Sequence, residues 1–137
     1  MNTPPHESME ALQHVAAVLA VHPQIELAYV FGSVALGTAR FESDIDVAVQ
    51  SAAGALGTAE RRRLVEDLAA ATGRAVDLVD LGRAGKPLLG QVLKHGRRVM
   101  GSDASHAALM VRHVFDMEDF VPYVERMLKQ RRQAWTG

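Results

Sequence analysis

The spacing of apolar positions switches repeatedly between a helical and a strand period, and the switches divide the chain into elements. Leu12, Val15 and Leu19 recur at helical spacing, so residues 9–21 read as a helix with Ser8 as its N-cap. His22-Pro23 ends it, because a residue before proline avoids the helical region. Residues 25–31 alternate as a strand, with Ile25, Leu27, Tyr29 and Phe31 on one face. Gly32-Ser33 interrupts that run. Residues 44–50 form a second strand: Ile45, Val47 and Val49 share one face, and Asp44, Asp46 and Ala48 the other. The small, glycine-containing stretch 51–57 is a loop. Thr58 is the expected cap of a helix to Thr72, with Leu64, Leu68 and Ala71 inward and Gly73 just past its end. Residues 74–81 predict a third strand. Pro87 opens a short helix that closes at Gly96, and residues 97–100 predict an edge strand. From Ser102 to about Arg132 the pattern is helical, with Pro122 dividing it.

These elements predict a small α/β (α+β) domain: about four strands in a mixed sheet, with helices packed on one side. The chain has 137 residues, which fits one domain over 1–137, its core at about 9–100 and C-terminal helices at about 103–133. Composition narrows its chemistry. Fifteen basic residues stand against sixteen acidic ones, which argues against direct nucleic-acid binding but leaves room for a small-nucleotide site. With no cysteine, disulfides and thiolate metal sites are excluded and a reducing compartment is expected. No secretory signal and no apolar run of membrane length is present, so a cytoplasmic protein without membrane contact is expected.

The informative stretch runs from Phe31 to Val49. Gly32-Ser33 is followed, after ten intervening residues, by Asp44-Ile45-Asp46. Carboxylates at i and i+2 of a strand project from the same face, with Cα atoms ~7 Å apart. Such a pair suits hard divalent cations, and Mg²⁺ prefers a few carboxylates plus substrate phosphates. Two ions ~3.5–4 Å apart can stabilise both the attacking and the leaving oxygen of an in-line displacement. Glycine at position 32 lets a phosphate approach the backbone closely. N–H groups at a helix start favour anions, and the Ser33 hydroxyl adds a donor. Each half alone is ordinary, a turn or a solvated strand start. Together they place a phosphate site beside a metal site.

This pattern resembles the signature of the polymerase-beta-like nucleotidyltransferases, and the short chain looks like their minimal (MNT) branch, over about residues 25–100. The resemblance implies that Gly32 and Ser33 hold the triphosphate of ATP and that Asp44 and Asp46 hold two Mg²⁺ ions. It also implies a third carboxylate on a neighbouring strand, as metal ligand and proton acceptor. Asp77 and Asp80 are the candidates, and they point to opposite faces. Asp77 is favoured as the mid-strand residue, where an unpaired carboxylate is expensive; Asp80 at the strand end reads as a solvated or turn residue. One departure stands out: Leu36 occupies a position where many members carry arginine, and Arg40 is the candidate to supply that charge.

Minimal nucleotidyltransferases are similar to one half of a two-gene module whose other half is a helical HEPN protein, often an RNA-cutting toxin. The resemblance therefore implies an antitoxin that transfers AMP from ATP to a tyrosine of a HEPN partner. The rivals are an antitoxin that neutralises by binding alone, with a vestigial site, and a small-molecule nucleotidyltransferase of the antibiotic-modifying type. Six histidines show no metal-ligand spacing and read as structural. Met110, Phe115, Met117, Phe120, Met127 and Trp135 crowd the last thirty residues, and part of that apolar surface is a candidate partner-binding face.

Overall fold

The computed structural model describes residues 5–37, 44–115 and 128–129. Its elements run α1 (Pro5–Ala20), β1 (Ile25–Phe31), α2 (Gly32–Leu36), β2 (Ile45–Ser51), α3 (Thr58–Thr72), β3 (Val76–Asp80), α4 (Lys86–His95), β4 (Arg97–Met100) and α5 (Asp103–Phe115). The strands form one mixed sheet in the order β3-β2-β1-β4. β2 lies antiparallel to β1, β4 lies antiparallel to β1, and β3 runs parallel to β2. The β2–α3–β3 segment is the crossover that a parallel pair needs.

The two helix starts differ from the sequence expectation. α1 begins at Pro5, so Ser8 lies within it and is not its cap; proline is pre-set for a first helical turn. In α3, Thr58 is the first helical residue. Gly57 takes the extended cap conformation, without any side-chain cap bond. The helix ends follow expectation. Gly73 is left-handed and its N–H reaches the Ala69 carbonyl at 2.9 Å. α4 carries Pro87 in its first turn and stops at Gly96.

Helices cover both faces of the sheet, not one. On the first face, Val15 and Leu19 of α1 and Leu64 and Leu68 of α3 pack on Ala28, Val30, Ile45, Val47 and Val49. On the second, Leu89 and Val92 of α4 and Leu109 of α5 pack on Leu27, Tyr29, Phe31 and Ala48. A sheet whose central strands are apolar on both faces must be covered on both. β1 also carries a register shift between Ile25 and Leu27. The extra residue reverses the alternation, so Ile25 joins the first face instead of the one it was expected to share with Leu27, Tyr29 and Phe31.

Polar groups tie the layers together. Arg61 of α3 donates to the Leu78 carbonyl of β3. Arg112 of α5 donates to the Leu81 carbonyl at 2.5 Å. Tyr29 is 1% exposed, and its hydroxyl meets His106 Nδ1 of α5 at 2.5 Å. Burial raises the Tyr29 pKa above its usual value, opposed in part by the Arg98 charge. His22, buried after α1, bonds the Asp67 carboxylate of α3 at 2.9 Å. These contacts are the structural roles expected of His22 and His106. Of the C-terminal helical region, α5 is described and leaves Met110 and Val111 exposed. Pro122, Met117, Phe120 and Trp135 lie outside the described residues.

Candidate active site

The central strands end where the chemistry-bearing residues begin. β1 closes at Phe31, which pairs across the sheet with Asp46. Gly32 follows with φ of 71°, a left-handed conformation that glycine adopts without strain. A Cβ at this position would collide with the Asp46 carboxylate oxygen and lie 3.2 Å from its carboxyl carbon. Glycine is thus needed twice, for its backbone angle and for its missing side chain. The chain then makes the short helix α2, in which Val34 and Ala35 are buried, and leaves it through left-handed Gly37. α2 has only 5 residues, so it offers local N–H groups and not a long helix dipole. Ser33 is half-buried at its start.

Asp46 is the second residue of β2, and in the parallel register it pairs with Asp77 of β3. Neighbouring strands lie ~4.8 Å apart, so the two carboxylates sit side by side on the face of the sheet that α4 and α5 cover. Asp44 just precedes β2 and is exposed. Asp46 is half-buried, and its pKa is raised above the usual carboxylate value. Burial is the largest cause, followed by the negative charges of Asp77 and Asp44 and a hydrogen bond to the Asp77 carboxyl. Three carboxylates that repel one another in this way fit a divalent cation, which relieves the repulsion. Among the described residues no three acidic or histidine side chains are already drawn to metal-binding distance.

Asp77 and Asp80 exchange the environments expected of them. Asp77 is exposed, not buried in mid-strand, whereas Asp80 is 8% exposed and not solvated. Asp80 lies on the opposite face of β3. Its Oδ2 accepts the Leu56 N–H at 3.0 Å and its Oδ1 the Gly82 N–H at 2.9 Å. Both oxygens are occupied by backbone, fastening the loops after β2 and β3. The structure therefore brings Gly32, Ser33, Asp44, Asp46 and Asp77 to one end of the sheet and leaves Asp80 out. Arg40 lies outside the described residues. Leu36 is 58% exposed at the end of α2.

The Gly32 geometry yields one expected outcome. Gly32→Ala forces a Cβ onto Asp46 in a backbone conformation that alanine resists. Thermal melting is expected to show a loss of roughly 1–3 kcal/mol, and Mg²⁺-dependent nucleotide binding is expected to fall with it. An alanine variant that melts and binds like the parent would show that position 32 tolerates a side chain.

Comparison with known proteins places this geometry. The family model for polymerase beta, nucleotidyltransferase, matches residues 13–105. Protein adenylyltransferase MntA of Shewanella oneidensis is 38% identical over 92 residues, which cover 67% of this chain and 66% of that protein. The match thus spans just under two thirds of that relative's length. Among solved structures, a chain of a toxin–antitoxin crystal structure with AMP-PNP superposes with a TM-score of 0.69 at 31% identity, covering 90% of this chain and 93% of its own length. A chain from the complex of tri-AMPylated Shewanella oneidensis HEPN toxin with MNT antitoxin gives a TM-score of 0.65 at 28% identity, covering 93% of each chain.

Proposed function

Because this chain belongs to the polymerase beta nucleotidyltransferase family, we propose that it is an antitoxin adenylyltransferase that moves AMP from ATP to a tyrosine of a HEPN partner. The observation that carries this reading is the pairing of Asp46 with Asp77 directly beside side-chain-free Gly32. It joins paired acidic groups to a backbone that a phosphate can approach. The likeness to a protein adenylyltransferase and to toxin–antitoxin chains supports the acceptor and the partner.

In this reading Asp44, Asp46 and Asp77 hold two Mg²⁺ ions, which when bound offset charge on the reacting phosphate oxygens. Gly32 and Ser33 hold the β- and γ-phosphates through backbone N–H groups and the Ser33 hydroxyl. The acceptor tyrosine oxygen forms a bond to the α-phosphorus. The bond from that phosphorus to the bridging oxygen breaks, and pyrophosphate leaves in line. Asp77, the most exposed to solvent of the paired carboxylates, accepts the tyrosine proton. Asp46 keeps its neighbours in register, because its strand is hydrogen-bonded on both sides. A partner loop must bring its hydroxyl to within ~3–3.5 Å of the phosphorus, which a docked protein can do at an open site. No helix among the described residues is long and apolar enough to cross a membrane, and a cytoplasmic location with its ATP supply suits the reaction.

The test is intact-mass spectrometry of a HEPN protein offered as partner, after incubation with this protein, ATP and Mg²⁺. Mass increments of one AMP residue are expected, removed by substitution of the partner tyrosine. An unchanged partner mass, together with full neutralisation of the toxin by an Asp44→Asn/Asp46→Asn variant, would replace this reading with an antitoxin that acts by binding alone.

A further inference from the structure

Asp46 and Asp77 stand opposite each other in register, and their negative charges repel across the β2–β3 ladder. β2 is held on its other side by β1. β3 is an edge of the sheet, so it is the strand that repulsion can push away. The Ile45 N–H bonds the Ala75 carbonyl at 2.9 Å, and the Leu81 N–H bonds the Val49 carbonyl at 2.8 Å. Backbone groups alternate in direction along a strand, so residues 75, 77, 79 and 81 turn their N–H and carbonyl toward β2. Leu78 therefore turns its carbonyl outward, to the side where no strand follows.

Arg61 meets that carbonyl. It lies in the first turn of α3 and donates from its guanidinium to the Leu78 oxygen. A charge-assisted bond of this kind is roughly twice as strong as a neutral one. The Leu78 side chain is 2% exposed and packs in the first-face core with Leu64 and Leu68 of α3. Leu78 is thus fixed to α3 twice, by its side chain and by its carbonyl. Asp77 is its neighbour in the chain, with a side chain that leaves by the opposite face. That side chain is exposed, so the backbone of β3 sets its place, and not packing around the carboxylate. Asp80 fastens the far end of the strand, three residues on, through the Leu56 and Gly82 N–H groups.

We propose that Arg61 is a positioning residue for the metal site: it holds the outer edge of β3 from α3 and so keeps Asp77 beside Asp46, where both reach the same divalent ions. Arg61 lies on the other side of the sheet from the two carboxylates and touches neither nucleotide nor metal. The inference rests on the nucleotidyltransferase reading above and adds to it a residue that acts through the backbone.

The test compares the full-length parent with Arg61→Met, Arg61→Lys and Asp80→Ala, at a temperature where each is folded and with rates counted per folded molecule. Two quantities are read: Mn²⁺ affinity, by electron paramagnetic resonance without nucleotide, and the kinetics of AMP transfer to a HEPN protein. Arg61→Met keeps the apolar stem and removes the donors. It is expected to weaken Mn²⁺ binding about tenfold and to lower kcat about tenfold, the scale of a small misplacement of a reacting group. KM for ATP should stay within about twofold, because Gly32 and Ser33 are untouched. Arg61→Lys restores a charged donor without the fork and should recover most of both losses. Asp80→Ala loosens the same strand away from Asp77 and should match the parent in both quantities. Parent-like Mn²⁺ affinity and kcat in Arg61→Met would overturn the assignment. So would equal losses in Asp80→Ala, since loosening anywhere on β3 would then suffice. A rise in KM for ATP at unchanged kcat would overturn it too, by giving Arg61 a part in nucleotide binding. Should Arg61→Met not fold, Arg61→Lys decides by the same comparison, with a loss of about threefold expected. A parent that binds Mn²⁺ and transfers no AMP would overturn the adenylyltransferase reading, and the Mn²⁺ affinities would still decide the role of Arg61.

Discussion

Asp44→Asn/Asp46→Asn is expected to lower AMP transfer by at least about a thousandfold, since metal stabilisation of the reacting oxygens is worth several kcal/mol. The same substitution is expected to stabilise the metal-free protein. Folding raises the Asp46 pKa through burial and through the charges of Asp77 and Asp44. The folded state therefore holds this proton more tightly than the unfolded chain does. Stability from this group is complete below the ordinary carboxylate range. It falls as pH rises through the raised folded-state value and stays low above it. At neutral pH the parent carries the full penalty, and the Asn variant does not.

In the presence of EDTA the variant should therefore melt a few degrees above the parent at pH 7. Their difference should vanish at a pH below the ordinary aspartate value, where Asp46 is protonated in both states. Mg²⁺ should raise the melting temperature of the parent and leave that of the variant unmoved. A variant that transfers AMP at the parent rate would remove Asp44 and Asp46 from the site. A variant less stable than the parent at pH 7 would show that the acidic cluster is stabilising, contrary to the burial and repulsion at Asp46.

The second large effect is a double dissociation on one strand. Asp77→Asn is expected to reduce AMP transfer about a hundredfold, the scale of a lost general base or ligand, with stability changed by less than ~0.5 kcal/mol because the residue is exposed. Asp80→Ala is expected to do the reverse. It leaves the buried N–H of Leu56 and the N–H of Gly82 without the acceptors they now have at 3.0 and 2.9 Å. Each orphaned donor costs about 1–3 kcal/mol, so chemical denaturation should show a loss of ~2–4 kcal/mol, with transfer by the remaining folded protein close to that of the parent. Comparable losses of transfer in both variants at equal folded fraction would mean that Asp80 also serves the reaction.

Much of the fold was legible in the sequence because its apolar spacing is strict. Val15 with Leu19, the alternation from Ile45 to Val49, and Leu64 with Leu68 each repeat at one period, and each faces the core as expected. The stops were legible as well, because Gly73 and Gly96 act through their own backbone. What failed locally were two capping assignments. Ser8 and Thr58 are good cap residues, but Pro5 and Gly57 set the starts of their helices. The covering of both sheet faces was not legible either. It depends on α4 and α5 packing on the second face, through contacts between residues far apart in sequence.

For the site, the sequence by itself determined the residue types and their spacing: Gly32-Ser33, then Asp44 and Asp46, with a choice between Asp77 and Asp80. Only the tertiary structure separates the positions of these two, because that is a matter of register between strands far apart in sequence. The parallel pairing sets Asp77 against Asp46. It also turns Asp80 to the other face, where two backbone N–H groups hold it. The buried aspartate of the two is the one fastened by backbone, and the exposed one is the one beside Asp46. Likewise Gly32 reads in sequence as permission for a phosphate, and only the fold shows that its hydrogen faces the Asp46 carboxylate.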